Sequence, residues 1–356
     1  MGIQIRGSDD NISASDGSLT INGASFSTLQ VNGQNLPTAG PLSNRNLIIN
    51  GNFVINQRGG SNTTINTYAL DRWRSYGGPM GFTISQQDVL STLSTSRYAM
   101  RFQRTSGNTQ TNNTGVVQGI ESKNCEGLAG TQLTLSFKAR AGADLSSDLD
   151  ARFFYGTGTD QDPVSMTGQT NDGGTGFTLT TSFATYTKTV TVPAGTTQIS
   201  LTFAVTPTGT AGTNDWFEIA EVQVERGSVA TPFEHRSYGD ELARCLRYYW
   251  LQEVRNATSY GAFSLLASYG TTTDVRGFIN FPVPMRQIPA LSISDISHFA
   301  HLGGPAPSSF YVADGGSSYY NTGLGVTLSS NQTANYASIL RANNTNNAEM
   351  RWDAEL

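Results

Sequence analysis

The feature that most constrains this chain is a period-two alternation that recurs at short intervals between glycine, asparagine and aspartate turns. From Thr185 the chain reads Thr-Tyr-Thr-Lys-Thr-Val-Thr-Val. Leu133, Leu135 and Phe137 alternate with polar neighbours, as do Ala151, Phe153 and Tyr155, then Ile199, Leu201, Phe203 and Val205. Successive side chains of a strand point to opposite faces, so this pattern describes strands with one face buried. Many such runs, each closed by turn residues, argue for two sheets packed face to face. No internal repeat is evident, which excludes a solenoid or a propeller.

Composition decides whether such strands have a core to cover. Charged residues are 14% and hydrophobics 37% of the 356 residues, against about 25% charged in a typical soluble domain. Disorder is the first reading of so polar a chain. It fails because aromatics reach 10% and β-branched residues recur in register, unlike disordered sequence. The net charge of −5 and the lack of a basic cluster leave no footprint for nucleic acid. No apolar run reaches the length that spans a bilayer, so no membrane insertion is expected. Met1–Gly7 has no apolar core and does not read as a signal peptide; Arg6 stands where a myristoylation motif needs Ser or Thr. Cys125 and Cys245 are far apart and read as two buried free thiols rather than a bridge.

Four segments follow along the chain. Residues 1–44 place Ile3, Ile5, Ile12, Leu19 and Ile21 among Asp-Gly and Asn-Gly turns, ending in the linker Pro37-Thr38-Ala39-Gly40-Pro41. That is too little apolar surface for an independent core, so this piece is expected to borrow one from a partner. Residues 45–236 read as one all-β domain. Residues 237–254 read as a helical junction, with a short helix over 237–252: Ser237 can cap it with Asp240 three residues on, and Leu242, Cys245, Leu246 and Tyr249 form one apolar stripe. A helix this short needs something to pack against. Leu242, Leu246 and Tyr249 are therefore the candidates for an oligomer interface. Residues 255–356 read as a second β-domain.

Three separated regions then carry one resemblance. Residues 46–53 (Asn-Leu-Ile-Ile-Asn-Gly-Asn-Phe), Asp71-Arg72-Trp73 and the run from Glu218 to Gly227 resemble carbohydrate-binding jelly rolls. Ala230-Thr231-Pro232-Phe233-Glu234, with Arg236 following, resembles the junction that leads to the distal tip in bacteriophage tail-fibre proteins. Residues 281–286 (Phe-Pro-Val-Pro-Met-Arg) and the closing Asp353-Ala354-Glu355-Leu356 resemble the tips of the same proteins. The resemblance implies an all-β fold: a jelly-roll β-sandwich and a C-terminal β-sandwich tip joined by one short helix, with an extended attachment segment ahead of them. It implies a homotrimer, made in the host cytoplasm and carried on the virion. Its first segment would hold a phage tail or capsid protein, and its distal parts would adsorb to bacterial surface polysaccharide. A capsid-decoration or baseplate protein and a capsule depolymerase are the alternatives.

The expected chemistry is recognition rather than catalysis, since there is neither a nucleophile elbow nor a phosphate loop. A ring offers an apolar face to a sugar, with amides and carboxylates meeting its hydroxyls. Tyr311, Tyr319 and Tyr320, flanking a Gly/Ser-rich stretch, are candidate receptor contacts, together with Trp73 and Tyr76. A core role for Trp73 is the competing reading. No metal or cofactor is expected. If a metal binds, His298 and His301 would supply ligands, and a structural calcium would take Asn52, Asp215 and Glu218.

Overall fold

The computed structural model describes residues 44–60, 62–254, 260–268, 273–313, 317–331 and 337–356, together with the strand pair Gln30–Val31 and Gln34–Asn35. The chain divides into two compact units, Met1–Thr38 and Ala39–Leu356. In the first, Gln30 pairs with Asn35 and Val31 with Gln34 in antiparallel register. The expected attachment residues Ile3, Ile5, Ile12, Leu19 and Ile21 lie outside the described residues.

The second unit is almost entirely β. One sheet runs in the order Ala184–Thr191, Gln132–Ala141, Trp216–Arg226, Tyr98–Arg104, Phe82–Asp88. Facing it, the other runs Thr170–Asn171, Leu149–Gly156, Gln198–Val205, Thr114–Ile120, Trp73–Gly77, Tyr68–Leu70, with Thr175–Phe177 also on Leu149–Gly156. All pairs are antiparallel. Between these sheets lie Leu133, Leu135 and Phe137 from one side and Phe153, Leu201 and Phe203 from the other. This is the sandwich that the alternation implies and the jelly roll that the resemblance implies. The segment 46–53 closes it. Leu47 N–H donates to Val224 C=O at 2.8 Å, and the Gly51 backbone approaches the Val222 carbonyl so closely that a Cβ there would lie 2.1 Å from its oxygen.

One departure from simple alternation has a clear cause. Every residue of Gln198–Val205 is buried, on both faces. The side that would meet water is covered by the loop through Pro163, whose carbonyl accepts from Ser200 Oγ at 2.6 Å. Pro163 and Leu356 both lie over neighbouring Gly119.

The helix spans Tyr238–Leu246 rather than the longer range expected. Its start is as anticipated: Ser237 Oγ accepts from Asp240 N–H and donates to the Asp240 carboxylate at 2.7 Å. Its end differs because Tyr249 begins a strand, Tyr249–Glu253, that pairs with Glu349–Asp353. The apolar side of the helix also packs within the chain. Leu242 and Cys245 contact Ile49, Val54 and Ile55 of the closing segment, and Cys125 and Cys245 are free and buried.

The last part of the chain forms a second sandwich. A three-stranded sheet, Tyr249–Glu253, Glu349–Asp353 and Ala290–Ile293, covers a six-stranded one. The latter runs Phe299–His301, Ala337–Ala342, Ala262–Ser268, Asp274–Asn280, Asn321–Leu328, Pro307–Ala313. Trp352, Met350, Leu324, Val326 and Leu340 fill the space between them.

A buried ionic cluster joins the two sandwiches. Glu355 bonds both Arg72 and Arg58. Arg72 also donates to Gly119 C=O at 2.6 Å, and its guanidinium lies 3.6 Å from the Tyr248 ring centre. Arg286 donates to the carbonyls of Ala354 and Glu355 at 2.7 and 2.6 Å.

Candidate functional site

The six-stranded sheet leaves one face to solvent, and its register shows what stands there. Along Asp274–Asn280, Val275, Gly277 and Ile279 are buried while Arg276, Phe278 and Asn280 are exposed. Phe278 pairs with Gly323 and Asn280 with Asn321. Leu266 pairs with Gly277, which sets Leu265 beside Phe278, and Leu265 itself pairs with Ile339. Phe278 is 70% exposed and Leu265 75%, far more than large apolar side chains usually show. Glycines flank the row: a Cβ at Gly325 would lie 2.1 Å from the Tyr311 ring, so that ring lies flat over the backbone.

Polar groups border these rings. Tyr311 donates its hydroxyl to Asp274 Oδ1, and burial followed by the Asp274 carboxylate pushes that hydroxyl above its usual range, so it stays protonated. The same carboxylate holds Arg276 at 3.1 Å. Tyr319 and Tyr320 project from a turn just before Asn321–Leu328, and are 55% and 64% exposed. Their backbone is fastened although their rings are exposed. The Tyr319 carbonyl accepts from Met285 N–H at 2.7 Å and the Tyr320 carbonyl from Phe281 N–H at 2.9 Å. Ser318 Oγ donates to Asn321 Oδ1 at 3.0 Å. Exposed rings on a fixed backbone, with amides at hand, suit stacking on a sugar at low entropic cost.

The other expected residues lie elsewhere. Trp73 is fully buried between the sheets, with Phe53 and Phe203 rings 5.3 and 6.2 Å away. Its indole N–H donates to Asn50 C=O at 3.2 Å. It is a core residue and unavailable to a ligand, because strand parity turns it inward and leaves Arg74 and Tyr76 on the outer side. Tyr76 is half-buried, its hydroxyl 3.1 Å from Asn113 Oδ1. Of the oligomer-interface candidates, Tyr249 is buried, Leu242 is half-buried against the Ile49 and Ile55 cluster, and Leu246 is half-buried.

Two of the three calcium candidates pair with arginine. Asp215 pairs with Arg104 at 2.6 Å, and Glu218 with Arg101 and Arg140, both at 2.6 Å. The Asn52 side-chain oxygen is buried and has no hydrogen-bond partner among the described residues. His298 Nδ1 lies 3.1 Å from Ser294 Oγ. His301 is buried in a strand, not one helical turn away, and burial lowers its pKa. Among the described residues, no three or more His, Cys, Asp or Glu side chains gather as a metal site would require.

Leu265, Phe278, Asn280 and Asn321 were not among the residues expected on an exposed face. The alternation through Val275, Arg276, Gly277, Phe278, Ile279 and Asn280 carried the signal, since its outward positions include a phenylalanine.

No protein-family profile matches the chain, and no curated protein matches it in sequence. Among solved structures, a family 4 carbohydrate-binding module overlaps 50% of this chain and 98% of its own, at 20% identity and a TM-score of 0.32. The CBM22-1–GH10 part of a Clostridium thermocellum xylanase overlaps 52% of this chain and 29% of its own, at 10% identity and a TM-score of 0.33. The enzymatically active domain of bacteriophage CBA120 tailspike protein 4 overlaps 47% of this chain, at 14% identity and a TM-score of 0.33; the overlap spans 21% of that domain's length. With TM-scores below 0.5 these likenesses carry no argument about this chain, whose sandwiches stand on their own strand pairing.

Proposed function

We propose that this protein is a bacteriophage virion fibre that adsorbs to bacterial surface glycan through the exposed face of its second sandwich. One observation carries the reading: Phe278, Tyr319 and Tyr320 are more than half exposed beside Asn280 and Asn321, on a backbone fixed by strand pairing. The motif resemblance at residues 46–53, 71–73, 230–236 and 281–286 supports placing that face on a fibre. Binding without cleavage fits the chemistry at hand, since the Asp274 carboxylate is already engaged by Tyr311 and Arg276. Three copies would raise weak single-site affinity through avidity, with residues 1–44 holding the virion.

The test is adhesion of the full chain to a panel of bacterial strains and their purified polysaccharides. Replacing Phe278, Tyr319 and Tyr320 together by alanine should cut binding by roughly 2–10-fold for each ring that stacks on sugar. Stability should change little, because exposed substitutions shift it by only about 0.5 kcal/mol. Undiminished adhesion by the triple variant would remove this face from the function. Light scattering should give three times the 38.1 kDa chain mass; a monomer at micromolar concentration would exclude the trimer.

A further inference from the structure

The helix borders two adjoining hollows of about 290 and 550 Å³, and Arg244 and Arg247 line both. Lys123, Asn124 and Tyr248 wall the smaller one, and Asn44, Val283 and Pro284 the larger. The lining holds four cations, Lys123, Arg236, Arg244 and Arg247, against two carboxylates, Glu121 and Asp240. Two of these cations, Arg236 and Arg247, are paired with carboxylates, so Lys123 and Arg244 are the ones that make no ion pair among the described residues.

The two carboxylates are already engaged. Glu121 accepts from Arg247 Nε at 3.0 Å and from the Tyr248 hydroxyl at 2.8 Å, while Asp240 is bound to the cap residue Ser237. Arg236 is spent on Glu234, Glu241 and the Ile48 carbonyl. Arg244 is positioned by a 2.8 Å bond from one guanidinium nitrogen to Asn44 Oδ1, and among the described residues its other donors have no partner. Lys123 is exposed and makes no ion pair among the described residues. A planar guanidinium held in this way presents paired donors to a carboxylate. The amides of Asn44 and Asn124 can meet hydroxyls, and Val283 and Pro284 offer apolar wall to a sugar ring.

We propose that this cleft binds the carboxylates of an acidic polysaccharide of the uronate type. It would be a second glycan site, distinct in its lining from the exposed aromatic face. The choice of a glycan as carrier rests on the adhesive reading above; the anion preference rests on the cleft itself.

The full chain would be titrated calorimetrically with polygalacturonate, alginate and hyaluronate oligomers, with the same oligomers after carboxyl reduction, and with polyglutamate and single-stranded DNA. Binding of at least one uronate is expected, weakening as salt rises. It should be lost on carboxyl reduction and fall about tenfold or more in the double variant Lys123→Gln, Arg244→Gln. An unchanged melting temperature would show that the variant is folded. Any binding that survives carboxyl reduction reports the aromatic face and should fall in Tyr319→Ala, Tyr320→Ala, whereas the carboxyl-dependent part reports the cleft and should fall in Lys123→Gln, Arg244→Gln, so a failure of the aromatic face and a failure of the cleft give different results. The proposal is overturned if no uronate binds, if the reduced oligomers bind equally, if the double variant binds like wild type, or if polyglutamate or DNA binds as tightly as any uronate.

Discussion

Replacing Glu355 with glutamine should destabilise the protein far more than its conservative chemistry suggests. The Glu355 side chain is 3% exposed and that of its partner Arg72 1%. Without the carboxylate, Arg72 keeps Gly119 C=O and the Tyr248 ring but no counter-charge. Arg58 falls back on Asp353 at 3.4 Å. Stranding one member of a buried pair costs roughly 3–5 kcal/mol. At a few degrees per kcal/mol, the melting temperature should drop on the order of 10 °C. The control is Arg351→Gln, which breaks an ion pair with Glu349 whose side chains are 40% and 28% exposed; such pairs contribute about 0–1 kcal/mol. Removing both buried charges, Arg72→Met with Glu355→Met, should recover most of the loss, since the desolvation penalty leaves with them. Thermal and denaturant unfolding, followed by circular dichroism, would measure all three. If Glu355→Gln melts like Arg351→Gln, the cluster does not hold the two sandwiches together as described.

Trp73→Ala should cost about 3–5 kcal/mol in chemical denaturation, because the ring is buried in the jelly-roll core; a neutral result would contradict its placement there. Stability should also depend on pH through His301. Burial lowers its folded pKa below the usual 6.5, so the unfolded chain takes up a proton that the folded chain refuses. Stability therefore falls as pH drops from 6.5 towards the folded pKa, and this contribution is constant below it. His301→Leu should flatten that part of the profile, and equal slopes for variant and wild type between pH 6.5 and 5 would count against it.

How much of this was legible in the sequence varies by scale. Thr185–Val192 announced a strand with one wet face, and the strand Ala184–Thr191 carries that pattern. Ser237 and Asp240 announced the helix start, because a cap is local chemistry. The helix end was not legible, since Tyr249 continues the helical spacing and is diverted by pairing with Asp353, 104 positions on. Burial of both faces of Gln198–Val205 was likewise hidden, as it depends on where the Pro163 loop folds back. Of the receptor candidates, Tyr319 and Tyr320 are exposed, whereas Trp73 stands beside the same kinds of polar neighbour and is buried; composition around an aromatic does not fix its parity on a strand. The clasp between Arg72 and Glu355 joins residues 283 positions apart, beyond any local pattern.

The closing segment of the jelly roll carries a consequence in time. Asn50 N–H finds its acceptor on Glu241, 191 residues further along, and Leu47 waits for Val224. At translation rates of about 5–20 residues per second, some 10–40 s pass between the appearance of this apolar stretch and that of the residues that cover it. During that interval Ile49, Val54 and Ile55 lack Leu242, Cys245 and Tyr248, and every copy being made in the same cell exposes the same three side chains. Yield in such a cell should therefore respond to temperature and to chaperone supply more steeply than the equilibrium stability of the finished fold would suggest.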